Sequence, residues 1–359
     1  MNTLLNRFSN SRVWVENRRV KERAANSTVS IREVAALAGV SIGTVSNVLN
    51  RPEIVSDAAA VRVKAAIERL GFVRNDAARQ LRAGRSHAIG LIILDVGNPF
   101  FTDVARGAQL QAAKSRLSVI LGASDESADR ESEYLDLFES QRVHGVLLSP
   151  VGEASPRLLQ LRKNGIPAVL VDRLTADSSF SSVSVDDVAG GAMAVEHLTS
   201  QGRKRIAFLG GPLTIRQVSD RLHGASIAAA ARENTTLEVV PLSALTVDEG
   251  RRAGDIIAER EASARPDAVF AANDSVAVGL LQSLLMHGSI AVPRDIAIIG
   301  YDDITFARTA AVPLSSIRQP SELIGRTSVD VLLAVAEDHD VKPQQIVFQP
   351  SLVVRQSSE

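Results

Sequence analysis

The 359-residue chain contains no cysteine. Disulfides, zinc–thiolate centres, iron–sulfur clusters and thiol nucleophiles are therefore excluded. Aromatic residues are scarce at 4%, with one tryptophan, Trp14. No apolar run approaches the roughly 18 residues of a membrane span. The first thirty residues are polar and basic and lack the apolar core of a secretory signal, so the expected location is the cytoplasm. Enzyme signatures are missing too, with no Walker loop and no HExxH. The six histidines, at 87, 144, 197, 223, 287 and 339, are scattered without metal-ligand spacing. Gly210-Gly211 is a turn and not a nucleotide fingerprint. The acid pairs Asp186-Asp187 and Asp302-Asp303 are neighbours in sequence, which by itself does not set two carboxyls across a substrate. No catalytic residue, metal or cofactor is expected.

What is present is 45% hydrophobic and 23% charged, the composition of a folded chain. At roughly 100–200 residues per domain, the length allows two or three domains. The net charge of −1 hides an asymmetry: residues 1–85 hold 15 Lys+Arg against 7 Asp+Glu, and the remainder 25 against 34. A basic N-terminal module on an acidic body points to a polyanion partner.

Residues 1–28 read as a flexible basic arm. From Val29, Ile31, Val34, Ala35 and Ala38 recur at helical spacing behind an N-cap at Ser30, and Gly39 closes the run. Ser41 caps a second helix with Val45, Val48 and Leu49 inward and Ile42, Gly43, Ser46 and Asn47 outward. After Arg51-Pro52, Ser56 or Asp57 caps a third helix through Leu70, with Val61, Ala65 and Leu70 as the expected inward stripe. Two short helices around a glycine turn, supported by a third, make a helix-turn-helix over 29–74, and its second helix is slim enough for the major groove. Residues 75–85 are two turns of helix-compatible sequence, too short to be stable alone, and read as a linker.

From Ala88 the pattern is strand–helix–strand. Apolar runs at 89–94, 119–121, 145–148, 168–171, 206–209, 268–271 and 296–299 read as buried parallel strands. Helical stretches at 102–116, 130–141, 155–164, 187–200, 220–232, 248–261 and 274–287 separate them. This is doubly wound α/β grammar, with sites expected at the carboxyl ends of strands, and its length suits two lobes around a cleft.

The stretches VSIREVAALAGVSIGTVSNVLN (29–50) and RLGFVRNDAARQLRAGRSHAIGLIILDVGNPFF (69–101) resemble the LacI/GalR family of bacterial transcription regulators. VDR (171–173), FAANDSVAVG (270–279), IGYDD (299–303) and IRQP (317–320) extend the likeness to about Arg355. The resemblance implies a multidomain chain: an N-terminal all-α helix-turn-helix, a hinge helix at 75–85, and an α/β two-lobed effector domain at 86–359 like the periplasmic sugar-binding proteins. Lobe 1 is expected at about 86–186 with 318–340, and lobe 2 at about 187–316 with 344–359.

The family likeness assigns base reading to Ile42, Gly43, Ser46 and Asn47, and phosphate contacts to Ser30, Ser41, Thr44 and Ser46. It makes Leu81 the wedge of a paired hinge helix in the minor groove, with Arg82 at nearby phosphates. The implied partners are a near-palindromic operator, a second copy of the chain and a small-molecule effector, with no membrane. The effector set carried over is Asn98, Phe100, Phe101, Asp172, Arg173, Arg221, Asn273, Asp302 and Gln319. Aromatic faces and planar polar groups suit a monosaccharide; nucleobases and sugar phosphates share several of these positions and stay open. Asp274 is expected to cap its helix and Asp303 to face solvent. Phe270, Tyr301 and Phe306 are expected in the core, and Ile215 and Gln217 in a loop before Arg221. The alternative reading is a soluble sugar receptor without a DNA role, which deletion of residues 1–85 would leave fully active.

Overall fold

A computed structural model describes residues 29–72, 86–152, 156–175, 179–338 and 341–359. They fall into two compact units, one within residues 1–83 and one within 84–359.

In the first unit, helices span Ile31–Ala38, Ile42–Asn50 and Asp57–Leu70. Glu33 closes a capping box by accepting hydrogen bonds from Ser30 N at 2.7 Å and Ser30 Oγ at 2.8 Å. Gly39 ends the first helix at φ 61°, a left-handed backbone that costs glycine little. Ser41 Oγ then accepts from Thr44 N at 3.0 Å and starts the second helix. The core is built from Val34, Ala35, Ala38, Val45, Val48, Val63 and Ala66. The third helix is rotated from its expected register: Ala59, Val63 and Ala66 are buried, whereas Val61 is 67% exposed and Ala65 is also exposed. Val63 then sits at the centre of the buried face, and Val61, two residues earlier on the helix, falls on the other side of it.

Among the described residues, the second unit contains twelve strands. They are β1 (Ala88–Ile93), β2 (Ser118–Ala123), β3 (Gly145–Leu148), β4 (Ala168–Val171), β5 (Ser181–Val185), β6 (Arg205–Gly210), β7 (Thr236–Pro241), β8 (Ala268–Ala271), β9 (Ala297–Asp302), β10 (Ser315–Arg318), β11 (Gln345–Phe348) and β12 (Ser351–Val353). They form two six-stranded sheets, ordered β11-β5-β4-β3-β1-β2 and β12-β10-β9-β8-β6-β7. Pairing is parallel except for β12 on β10. The central strands are almost wholly apolar because helices cover both faces.

The seven expected strands are all present within a few residues of their bounds. The five unforeseen ones carry little apolar signal. β5 reads SSVSV yet is buried throughout, helped by a Ser182–Gln345 hydrogen bond and by Ser181 Oγ accepting from Gln344 N at 3.1 Å. The third chain crossing also differs from expectation. Residues 345–348 pair with Ser182–Val185 in the first sheet, so the chain returns to the second lobe at 349–350, not near 343.

Helices pack in close pairs. A Cβ on Gly191 would lie 2.0 Å from Arg221 O, and one on Gly224 would lie 1.9 Å from Val188 O. Only glycine at both points lets Asp187–Ser200 and Arg216–Ala230 touch backbone to backbone. Gly107 with Gly325, and Gly250 with Gly279, repeat the arrangement in two other helix pairs.

Candidate functional site

The second helix of the first unit presents Ser41, Ile42 and Gly43 to solvent, with Ile42 46% exposed and Thr44, Ser46 and Asn47 half-buried. Several hydroxyls are already engaged. Ser30 serves the capping box, Ser41 Oγ and Thr44 Oγ1 lie 2.9 Å apart, and Asn50 Nδ2 donates to Ser46 O at 2.8 Å and to Ser46 Oγ at 3.2 Å. Asn47 and Ile42 are therefore the outward side chains best able to address a base edge and a methyl group. Gly39–Gly43 happens to have GxSxG spacing. It joins two helices and follows no strand, so it is not a nucleophile elbow. Leu81 and Arg82 lie outside the described residues.

In the second unit, residues just beyond the carboxyl ends of parallel strands line one cleft of about 470 Å³. Seven of the nine carried-over effector residues line it: Asn98, Phe100, Phe101, Asp172, Arg221, Asn273 and Asp302. Gln319 is buried and reaches the wall indirectly, through its Nε2 hydrogen bond to Asp302 Oδ1 at 2.7 Å. Arg173 is buried but is not among the lining residues. Asp95, Glu126, Gln217, Leu94, Val218 and Leu245 also line the cleft and were not in the expected set. Adjacent charges in turns carry no periodic pattern, so Asp95 and Glu126 could not be singled out from sequence.

The two lobes meet directly across the cleft. Asn98 Nδ2 donates to Asp302 Oδ2 at 3.3 Å. Gln217 Nε2 donates to Asp172 O at 2.5 Å and to Asp172 Oδ2 at 3.0 Å. Gln217 sits not in a loop but in the first turn of Arg216–Ala230, with Ile215 as its N-cap. Phe100 and Phe101 meet edge to face, with ring centroids 5.1 Å apart. Asp172 Oδ1 and Gln319 Oε1 are buried without a hydrogen-bond partner.

Arg221 is the cation of the wall, and its charge is committed. Its Nε donates to Asp187 Oδ1 at 2.8 Å, its Nη1 to Ala272 O at 2.8 Å, and its guanidinium stacks 3.7 Å from the Tyr301 ring centroid. Burial works against that charge, but Asp187, Tyr301, Asp302 and Asp172 together hold its pKa above the ordinary value. Burial pushes the carboxyl of Asp302 up to about 6, against the opposing pull of Arg221, Gln319 and Asn98. Burial, then repulsion from Asp187, raises Asp172 well above its ordinary value. Asp172 and Asp302 also hold left-handed backbones, at φ 56° and 104°. Such conformations cost on the order of 1–3 kcal/mol each and cluster at functional sites.

Three neighbours of the cleft behave differently from expectation. Asn273, not Asp274, caps Asp274–His287, with its Oδ1 accepting from Val276 N at 2.9 Å. Asp274 is fully buried and instead accepts from Ile304 N and Ser316 Oγ, each at 2.8 Å, tying β9 to β10. Asp303 does not face solvent: it pairs with Arg318 at 2.7 Å and Arg355 at 2.6 Å. Phe270 and Tyr301 are core residues as expected, but Phe306 is 62% exposed. Among the described residues, no helix is long and apolar enough to cross a membrane.

Family models match both units. Residues 30–75 match the bacterial regulatory proteins of the lacI family, and residues 195–358 match the periplasmic binding protein-like domain. The chain is 32% identical over 332 residues to the ribose operon repressor of Escherichia coli strain K12, covering 92% of this chain and 99% of that one. Its structure resembles the lac repressor dimer bound to operator and the anti-inducer ONPF, with TM-score 0.79, 26% identity, and coverage of 92% and 99%. It also resembles a ribose-bound LacI family regulator from Enterococcus faecium, with TM-score 0.69, 26% identity, and coverage of 76% and 98%. A helix-turn-helix, a two-lobed cleft domain and likeness over nearly the whole length lead to one conclusion: this chain belongs to the lacI family of bacterial regulatory proteins.

Proposed function

We propose that the chain is a transcriptional repressor that grips a near-palindromic operator as a homodimer and is controlled by a monosaccharide in the interlobe cleft. Asn47 and Ile42 read base edges in the major groove, and the exposed start of the second helix meets phosphate. The ring of the sugar lies on Phe100 and Phe101, and Asp172, Asp302 and Asn98 take its hydroxyls. One observation carries the cleft reading. Asp172 Oδ1 is a buried carboxyl oxygen on the cleft wall without a hydrogen-bond partner. An unmet buried polar group costs about 1–3 kcal/mol, which a sugar hydroxyl, able to donate or accept, removes.

Seating a ligand between Asn98–Asp302 and Gln217–Asp172 replaces direct interlobe bonds with bonds through the sugar. That changes the relative free energy of open and closed lobes, and by linkage operator and effector alter each other's affinity by the same factor. Operator binding followed by fluorescence anisotropy, across a panel of pentoses and hexoses, tests this. At least one sugar should shift operator affinity by about tenfold or more. A panel that leaves operator affinity unmoved, with no heat of binding, refutes the cleft assignment.

A further inference from the structure

Resting on the cleft as the effector site, we infer that the effector carries no negative charge. The cleft takes a neutral polyol and turns away sugar phosphates, sugar acids and nucleotides, with Glu126 and Asp95 as the excluding residues.

The charges of the wall are unbalanced. Four carboxyl side chains line it (Asp95, Glu126, Asp172 and Asp302) against the single guanidinium of Arg221. The charge of that guanidinium is offset by its buried ion pair with Asp187, and Ala272 O and the Tyr301 ring hold two further parts of it. Arg130 and Arg216, which follow in the adjoining helices, are paired with Asp125 and Asp220. Helix N-termini are the usual substitute for a cation in anion binding. Here the N-termini that border the cleft at Pro99 and Asp274 are already met by the side-chain oxygens of Asn98 and Asn273, whereas the one at Arg216 has no side-chain cap.

Glu126 is the residue that makes exclusion active. It follows β2 in a turn where Asp125 and Glu126 both adopt left-handed backbones, at φ 46° and 59°. The turn brings its half-buried carboxylate into the cleft near Asp95, whose negative charge repels it. Asp95 Oδ1 is held by Gly97 N at 2.7 Å, so this carboxylate is fixed in place. A phosphate ester placed beside Glu126 and Asp95 would meet two like charges, and the Arg221 guanidinium elsewhere on the wall is already ion-paired with Asp187. The unpartnered Asp172 Oδ1 deeper in the wall suits a hydroxyl, which can donate to it or accept from it.

The test is calorimetry at pH 7.5 with D-ribose, D-xylose, D-glucose and D-fructose, each against its terminal phosphate ester. The free sugar that binds should do so at least about 100-fold more tightly than its ester, as expected for like charges a few ångströms apart in a partly buried site. Glu126→Gln, which keeps the shape, should narrow that ratio several-fold, and raised salt should narrow it in the parent chain. An ester that binds as well as its sugar overturns the inference and leaves the cleft assignment standing. A ratio unmoved by Glu126→Gln and by Glu126→Gln with Asp95→Asn assigns the exclusion to size and also overturns it. Binding by neither member of any pair removes the monosaccharide reading and the inference together.

Discussion

Asp302, a hydroxyl acceptor in the proposed effector site, also carries a stability cost. Its ordinary pKa is near 4, and burial raises it to about 6 in the folded chain. Below about pH 4 the carboxyl is protonated in both folded and unfolded states, and no penalty arises. Between about 4 and 6 the folded state prefers the proton and the unfolded state does not, so stability falls as pH rises. Above about 6 the penalty is complete, on the order of 3 kcal/mol. Asp302→Asn should therefore raise the melting temperature at pH 7.5 and gain little at pH 4, as read by differential scanning calorimetry. The same substitution should weaken effector binding by about tenfold or more, since a charged acceptor is lost. Hydroxyl donation favours the ionised form, so effector affinity should climb from pH 5 to about 6.5 with proton release and then level off. Isothermal titration in buffers of different ionisation enthalpy reads that release.

At the scale of elements, the cleft depends on helices that approach more closely than side chains permit. Asp187 and Arg221 sit on neighbouring helices held in contact by Gly191 and Gly224. The methyl group of Gly191→Ala would collide with Arg221 O, a backbone atom that cannot swing aside. Overpacking of this kind costs about 1–3 kcal/mol. The expected result is a lower melting temperature together with weaker effector binding, because the helix carrying Arg221 and Gln217 is displaced. Unchanged effector affinity in a destabilised variant would show that this helix contact is structural only. Gly202, at φ 82° with open space around its would-be Cβ, makes a useful comparison, since alanine there strains the backbone locally without touching the cleft.

For the whole molecule, the second lobe bears an apolar face that one chain leaves exposed. Met286 is 79% exposed, and Phe306, Leu285 and Val247 are exposed beside a groove that also takes in Val278 and Ile304. A second copy of the chain is the occupant that the proposed homodimer supplies, consistent with the solved dimer on operator that this fold resembles. Phe306→Asp should convert the dimer to monomer in analytical ultracentrifugation. Operator affinity should then fall by about 100-fold or more, because the second half-site is no longer held at high effective concentration. A variant that stays dimeric would place the interface elsewhere.

Local chemistry fixed much of this in the sequence alone. Caps at Ser30, Ser41 and Gly39, and unbroken apolar runs such as AVLV and AVFA, need only neighbouring residues to act. They made the helix-turn-helix and seven of the twelve described strands readable, and the family resemblance carried by the motifs supplied seven of the fourteen residues of the cleft wall. The remainder depended on contacts made far along the chain. The polar strand SSVSV is a strand because Gln344 and Gln345 meet the hydroxyls of Ser181 and Ser182. The third helix shows Val61 to solvent because packing against the other two helices selected the face carrying Ala59, Val63 and Ala66. Asp274 and Asp303 are buried because partners 15–52 residues away meet their charge or their lone pairs. Periodicity reports which face of an element is apolar; it carries no information on which distant donor will reach a particular carboxylate, and that was settled only when the two sheets closed on one another.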